Sequence, residues 1–280
     1  MEWKKAKNYI IIFLIIINCV FFVFNVIKRS QTRLGTEEIQ AVSQVLRQRG
    51  ITLNCELPED YSAMGQLYMR PYEYDNIVLQ EIFFGKIDGI RRTEGNGDII
   101  FTGDGASLTV SSDSVHFEGS IGQGADSKET ASLAVENYVR ELNLKFTDYR
   151  PRISIETDDG YFFEYSQSFH SKAVFSNYLR ARVYKDGKID IVFNYQQPLE
   201  YKGVKEQIIS ADEAVYAASR AILNDYTQTT IDGVEKGYYL TERHGSGELA
   251  AVPQYKVYVD GGEAAYYVNA YSGDVIVNTD

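Results

Sequence analysis

The chain is 280 residues long and 44% hydrophobic, with 28 basic and 39 acidic side chains and a net charge of −11. Six of the basic residues and one acidic residue precede Leu34, so residues 34–280 hold 22 against 38, a net charge of −16. So acidic a domain argues against nucleic acid, anionic lipid or polyphosphate as partners, while its length suffices to bury a core.

The first element is the run from Tyr9 to Ile27, which has no charge, glycine or proline. Nineteen helical residues rise about 28 Å, so the run predicts a transmembrane helix over 9–27. A cleaved signal would be shorter and end in a small-x-small site, which Phe22-Val-Phe-Asn-Val-Ile27 does not offer. Leu14, Asn18, Phe21 and Asn25 share one face and form the candidate contact with a partner span. The local alternative is an Asn18 amide bonded to its own helix backbone. Lys4, Lys5 and Lys7 before the run balance Lys28, Arg29 and Arg33 after it, so charge alone does not orient it. Cys19 lies inside the run and Cys55 beyond it, which excludes a disulfide within one chain and leaves Cys55 as a small core residue or inert thiol.

The opening Met1-Glu2-Trp3-Lys4-Lys5-Ala6-Lys7, running at once into an Ile/Phe/Leu-rich stretch with Asn18 midway, resembles the start of the YycI family. These are membrane-anchored accessory regulators of the WalK sensor kinase in low-GC Gram-positive bacteria. The family usually carries Asp where this chain has Glu2. Beyond this segment the resemblance is one of length and layout. It implies that residues 1–8 are cytoplasmic and the C-terminal domain extracellular. It also implies a WalK-type histidine kinase and a YycH-type accessory protein as partners, and a role in cell-wall homeostasis.

A linker over 28–35 leads to a helix over 36–48, capped by Thr36, with Ile39, Val42, Val45 and Leu46 inward and Gly50 as its stop. Strand candidates follow at 51–55, 76–84, 98–102, 107–111 and 114–118, separated by turn chemistry at Glu94-Gly-Asn-Gly97 and Gly103-Asp-Gly105. Residues 36–124 thus read as an N-terminal α+β subdomain. Residues 125–200 and 201–280 then read as two similar units. Asp126-x-x-Glu129 and Ser210-x-x-Glu213 have capping-box spacing. They open helices with apolar faces at Ala131, Val135, Tyr138, Val139 and Leu142, and at Ala214, Val215, Ala218, Ala221 and Ile222. Each helix is followed by an aromatic strand, Gly160-Tyr-Phe-Phe163 or Gly237-Tyr-Tyr-Leu240, and by a hairpin around Asp186-Gly187 or Asp260-Gly261. The last unit, closing on Tyr267-Val-Asn-Ala-Tyr-Ser-Gly-Asp-Val-Ile276, also resembles a PepSY-type module. The expected fold class is α+β, an N-terminal transmembrane helix followed by repeated helix-plus-antiparallel-sheet units.

No constellation of chemical groups singles itself out. His116, His170 and His244 are far apart and lack metal-ligand spacing, and His116 reads as a hydrogen-bonded sheet residue. His244-Gly-Ser-Gly-Glu248 lacks the glycine spacing of a nucleophile elbow, and Asp158-Asp159-Gly160 lacks the twelve-residue calcium pattern. No catalytic residue, cofactor or metal is expected. Most of the 22 tyrosines suit a half-buried sheet. Tyr61, Tyr68, Tyr72 and Tyr74, in a stretch without alternation, are the candidate extracellular partner surface. The resulting expectation is a non-catalytic regulator at the cell membrane. Its alternatives are a PepSY-like tethered inhibitor or chaperone of secreted proteases, and an exported wall-acting enzyme.

Overall fold

The computed structural model describes residues 2–277 apart from 31, 86–88, 96, 113, 147, 244–247 and 263. Its helices are α1 (Glu2–Ser30), α2 (Thr36–Gln48), α3 (Asn76–Phe84), α4 (Lys128–Phe146) and α5 (Ala211–Asp225). In the first half its strands are β1 (Ile51–Leu53), β2 (Met64–Arg70), β3 (Arg91–Gly95), β4 (Asp98–Gly103), β5 (Ala106–Val110) and β6 (Val115–Ser120). The middle of the chain adds β7 (Tyr149–Thr157), β8 (Gly160–Phe169), β9 (Lys172–Tyr184), β10 (Lys188–Asn194) and β11 (Gln197–Glu206). Last come β12 (Thr229–Arg243), β13 (Leu249–Val259), β14 (Ala264–Asn269) and β15 (Val275–Val277).

All these strands belong to one branched sheet, whose main path runs β11-β2-β13-β12-β9-β10-β6-β5-β4-β3. An antiparallel meander follows each of two helices: β7-β8-β9-β10 after α4, and β12-β13-β14-β15 after α5. The meanders join where β9 and β12 run parallel, through Ala173–Gly237 and Val174–Tyr238. Two cores result. One packs α2 and α5 on β1, β2 and β12–β14, through residues such as Leu46, Leu67, Ala218, Ile222 and Val257. The other packs α3 and α4 on β4–β10, through Leu79, Phe117, Val135, Phe163 and Ile191.

Strand periodicity then decides what lies between the cores. Tyr161, Phe163 and Tyr165 of β8 are buried beneath α4, so Phe162 and Glu164 point to the opposite face. Tyr255, Val257 and Val259 of β13 are buried beneath α5, so Gln254, Lys256 and Tyr258 point away from it. Glu164 and Lys256 meet, and the two helix-free faces form a seam.

Several expectations need correction. Strand outweighs helix, 47% against 30%, and the units are parts of a single sheet, so the chain is mostly β rather than an α+β series of separate units. The parallel β9–β12 joint merges them, a pairing that no local pattern announces. The expected transmembrane helix is corrected as well: no helix among the described residues is long and apolar enough to cross a membrane. Residues 76–84 are a helix and not a strand. Asp75 caps it, accepting from the N–H groups of Ile77 at 2.9 Å and Val78 at 3.4 Å, and Leu79 and Phe83 bury the same face. Helix α2 takes Gly35 as its N-cap in place of Thr36. At α4 the capping oxygen belongs to Ser127, which accepts from the Thr130 N–H at 3.3 Å. The Ser210–Glu213 capping box is present as expected, with Glu213 accepting from the Ser210 N–H at 3.2 Å.

Candidate functional site

The seam opens into a cleft of about 640 Å³. Its apolar walls come from Ile153, Ile155, Phe162 and Val192 on the α4 side and from Ala264 and Ala265 on the α5 side. At its floor Glu164, 4% exposed, accepts from Lys256, 1% exposed, and from Arg180 Nε at 3.0 Å. The Lys256 ammonium also lies over the rings of Tyr258 at 4.7 Å, Tyr267 at 5.5 Å and Phe175 at 5.8 Å. Beside this group Arg152 pairs with Glu235 at 2.7 Å, and Tyr258 donates to Glu235 at 3.3 Å.

Burial pushes the Glu164 carboxyl up, but the charges of Lys256 and Arg180 outweigh it and hold the carboxyl below its ordinary value. Burial lowers Lys256, with the attraction of Glu164 opposing it. Two cations on one carboxylate decide the matter, and the pair is ionised. Glu235 behaves differently: burial raises it, and Arg152 offsets this only in part.

A histidine-and-carboxylate group lies at the cleft's edge, which Asp190 lines. His116 Nε2 is 3.0 Å from Asp190 Oδ1, and Glu118 stands alongside, holding the Ser107 hydroxyl at 3.2 Å. The three offer ligand atoms within 4.8 Å of one another, but their hydrogen bonds explain the grouping without an ion. His116 is thus the hydrogen-bonded sheet residue its position suggests. His170 stacks on Phe169 at 4.2 Å in the β8–β9 turn, whereas His244 and Ser246 lie outside the described residues. Burial, with Asp232 adding to it, pushes the Cys55 thiol up to about 11, so it carries little thiolate at neutral pH.

Of the expected partner residues, Tyr72 and Tyr74 are brought together, and Tyr61 and Tyr68 lie elsewhere. Tyr72 and Tyr74 pack into an aromatic group with Phe146 and Tyr195, and Tyr74 Oη accepts from the Tyr195 N–H at 3.0 Å. Tyr61 packs on the α5 core, and Tyr68 lies on β2 beneath the Lys202 ammonium at 5.1 Å. In α1, Leu14 and Phe21 are exposed and Asn18 donates to the Leu14 carbonyl at 2.9 Å, the local bond weighed above. The Asn25 side chain lies outside the described residues. The Glu164–Lys256–Arg180 group escaped the sequence reading. Its one local signal is a lone lysine inside Leu249–Val259, a strand otherwise free of charge.

No family model and no curated protein matches the sequence. Among solved structures, an uncharacterized protein from Eubacterium rectale ATCC 33656 is 12% identical, with a TM-score of 0.48 over 82% of this chain and 90% of that one. The Bacillus megaterium YpeB C-terminal domain is 12% identical, with a TM-score of 0.42 over 75% of this chain and 100% of that one. YycH from Bacillus subtilis is 11% identical, with a TM-score of 0.46 over 78% of this chain and 54% of that one. These are similarities, and they assign no family.

Proposed function

We propose that the chain is a non-catalytic accessory regulator of a WalK-type sensor histidine kinase in cell-wall homeostasis, working with a YycH-type protein from the outer side of the cell. The observation that carries this reading is the opening segment from Met1 to Asn18, with its Trp3, its lysines and its central Asn18 placed as in the YycI family. The seam supports the non-catalytic part. Glu164 is committed to Lys256 and Arg180, and Glu235 to Arg152 and Tyr258, so these groups brace one another. The test co-expresses the full chain with a WalK-type kinase and a YycH-type protein. Co-purification with either, together with a changed kinase-dependent reporter when the chain is deleted, is the expected result. Recovery of neither partner with an unchanged reporter would overturn the proposal.

A further inference from the structure

Among the described residues, β1, β3, β7, β11 and β15 each have one neighbour in the sheet and leave one edge open. An open edge is a template for another strand, and proteins blunt such edges with prolines, bulges, charges or covering side chains. Strand β7 carries Pro151, slips register between Pro151 and Ile153, and is covered by α4. Asn143 of α4 accepts from the Tyr149 N–H at 2.7 Å, and Lys128 donates to the Ser154 carbonyl at 2.6 Å. Strand β11 carries Pro198 and slips register twice, while β1 and β15 are three residues long. Of these edges β3 alone runs five residues without a proline or a slip of register, and its side chains are all exposed.

The β3–β4 hairpin decides which backbone groups of β3 are free. Two residues separate Gly95 from Asp98, so this pair closes the hairpin and is hydrogen-bonded. Alternation then commits Thr93 and Arg91 to β4, where the Ile100 carbonyl also takes the Thr93 hydroxyl at 3.4 Å. The N–H and C=O groups of Arg92 and Glu94 face the open side. Matching them to a second copy laid antiparallel sets Arg92 opposite Arg92, Glu94 opposite Glu94, or Arg92 opposite Glu94. The first two registers bring like charges together, and only the third is attractive, at both of its ends. Arg92 and Glu94 already pair within one chain, so their head groups lie on the same side of the strand. The charges that blunt this edge against other strands thus fit a second β3. We propose that β3 is an interaction surface for a second copy of this chain, joined edge to edge and antiparallel about a two-fold axis at Thr93. The contact is small, so association belongs at about 100 µM and above, and β3 stays open in dilute protein. This inference does not rest on the regulatory reading.

The test is oxidative cross-linking of the full chain carrying Thr93→Cys, at about 200 µM. Cys19→Ser removes the exposed thiol of α1 throughout, and Cys55 carries little thiolate. At the axis the Cα atoms of the two Thr93 residues stand about 4.5 Å apart, within disulfide reach, whereas Arg91 of one copy faces Gly95 of the other. Thr93→Cys is expected to give a disulfide-linked dimer, and Arg91→Cys to stay monomeric. Adding Arg92→Glu or Glu94→Arg to Thr93→Cys should slow the linkage at least about fivefold, since like charges then face each other. Mixing those two charge-reversed chains should restore it, because each offers the other its opposite charges. All these side chains are exposed, so the thermal midpoints of the variants should match that of the parent chain. Equal linkage of Thr93→Cys and Arg91→Cys, no linkage of Thr93→Cys, or a mixture no faster than its components would overturn the inference.

Discussion

Glu164 keeps its charge inside the protein only because two cations are fixed against it. Its folded carboxyl titrates below the reference value of 4.5, so its share of stability is complete above the unfolded carboxyl's pKa. That share is lost as pH falls through the lower folded value. Replacing it with Gln leaves Lys256 buried without its anion, and such an uncompensated charge costs about 3–5 kcal/mol. Urea unfolding of Glu164→Gln at neutral pH should register that loss, and the variant's stability should depend less on acid pH than wild type's. Glu164→Leu combined with Lys256→Met should regain only part of the loss, since it removes the buried Lys256 charge but takes the Glu164 carboxylate from Arg180. Wild-type stability in Glu164→Gln would mean that the pair is solvated and that the seam does not close as described.

At the scale of elements, the β9–β12 joint is the narrowest link in the sheet and depends on Gly237. A Cβ there would stand 2.6 Å from the Ala173 carbonyl oxygen and 2.7 Å from the Phe175 ring, and the first contact is backbone that cannot turn aside. Gly237→Val should therefore cost at least about 2 kcal/mol, whereas Gly95→Ala, with open space around it, should stay within about 0.5 kcal/mol. Denaturant midpoints of the two variants make the comparison, and equal midpoints would refute the tight joint. Local chemistry made some of the fold legible. Asp186-Gly187 and Asp260-Gly261 are turns whose residue types prescribe the hairpins around them, and the Ser210–Glu213 box starts α5 where it should. Strand β11 was illegible for the opposite reason: Gln197–Glu206 carries Pro198 and mixed charges, and only its pairing with β2 makes it a strand. The run 76–84 is apolar enough for either structure, and the Asp75 cap settles it as a helix. Glu164 and Lys256 are 92 residues apart, so the floor of the cleft exists only once the two meanders face each other.

The whole molecule is two cores that each have helices and sheet of their own and share a thin boundary. That boundary includes the two-residue parallel joint, the Glu164–Lys256–Arg180 group, the Arg152–Glu235 pair and a small apolar cluster of Ala173, Phe175 and Tyr267. Each core is large enough to persist when the other opens, so the boundary determines whether the chain unfolds in one step or two. Lys256 sits at its centre, held by Glu164 and covered by three aromatic rings. Lys256→Ala removes the Glu164 contact across the seam while leaving both α4 and α5 on their own strands. Hydrogen exchange at increasing denaturant is expected to show wild-type β8 and β13 losing protection together. In Lys256→Ala they should separate into two transitions, with α2, α5 and β13 in one and α4, β8 and β10 in the other. The edge strand β3, whose side chains are all exposed, should exchange early in both proteins and serves as the internal reference. If β8 and β13 still lose protection together in Lys256→Ala, the Glu164–Lys256 pair does not couple the halves, and the coupling resides in the rest of the boundary.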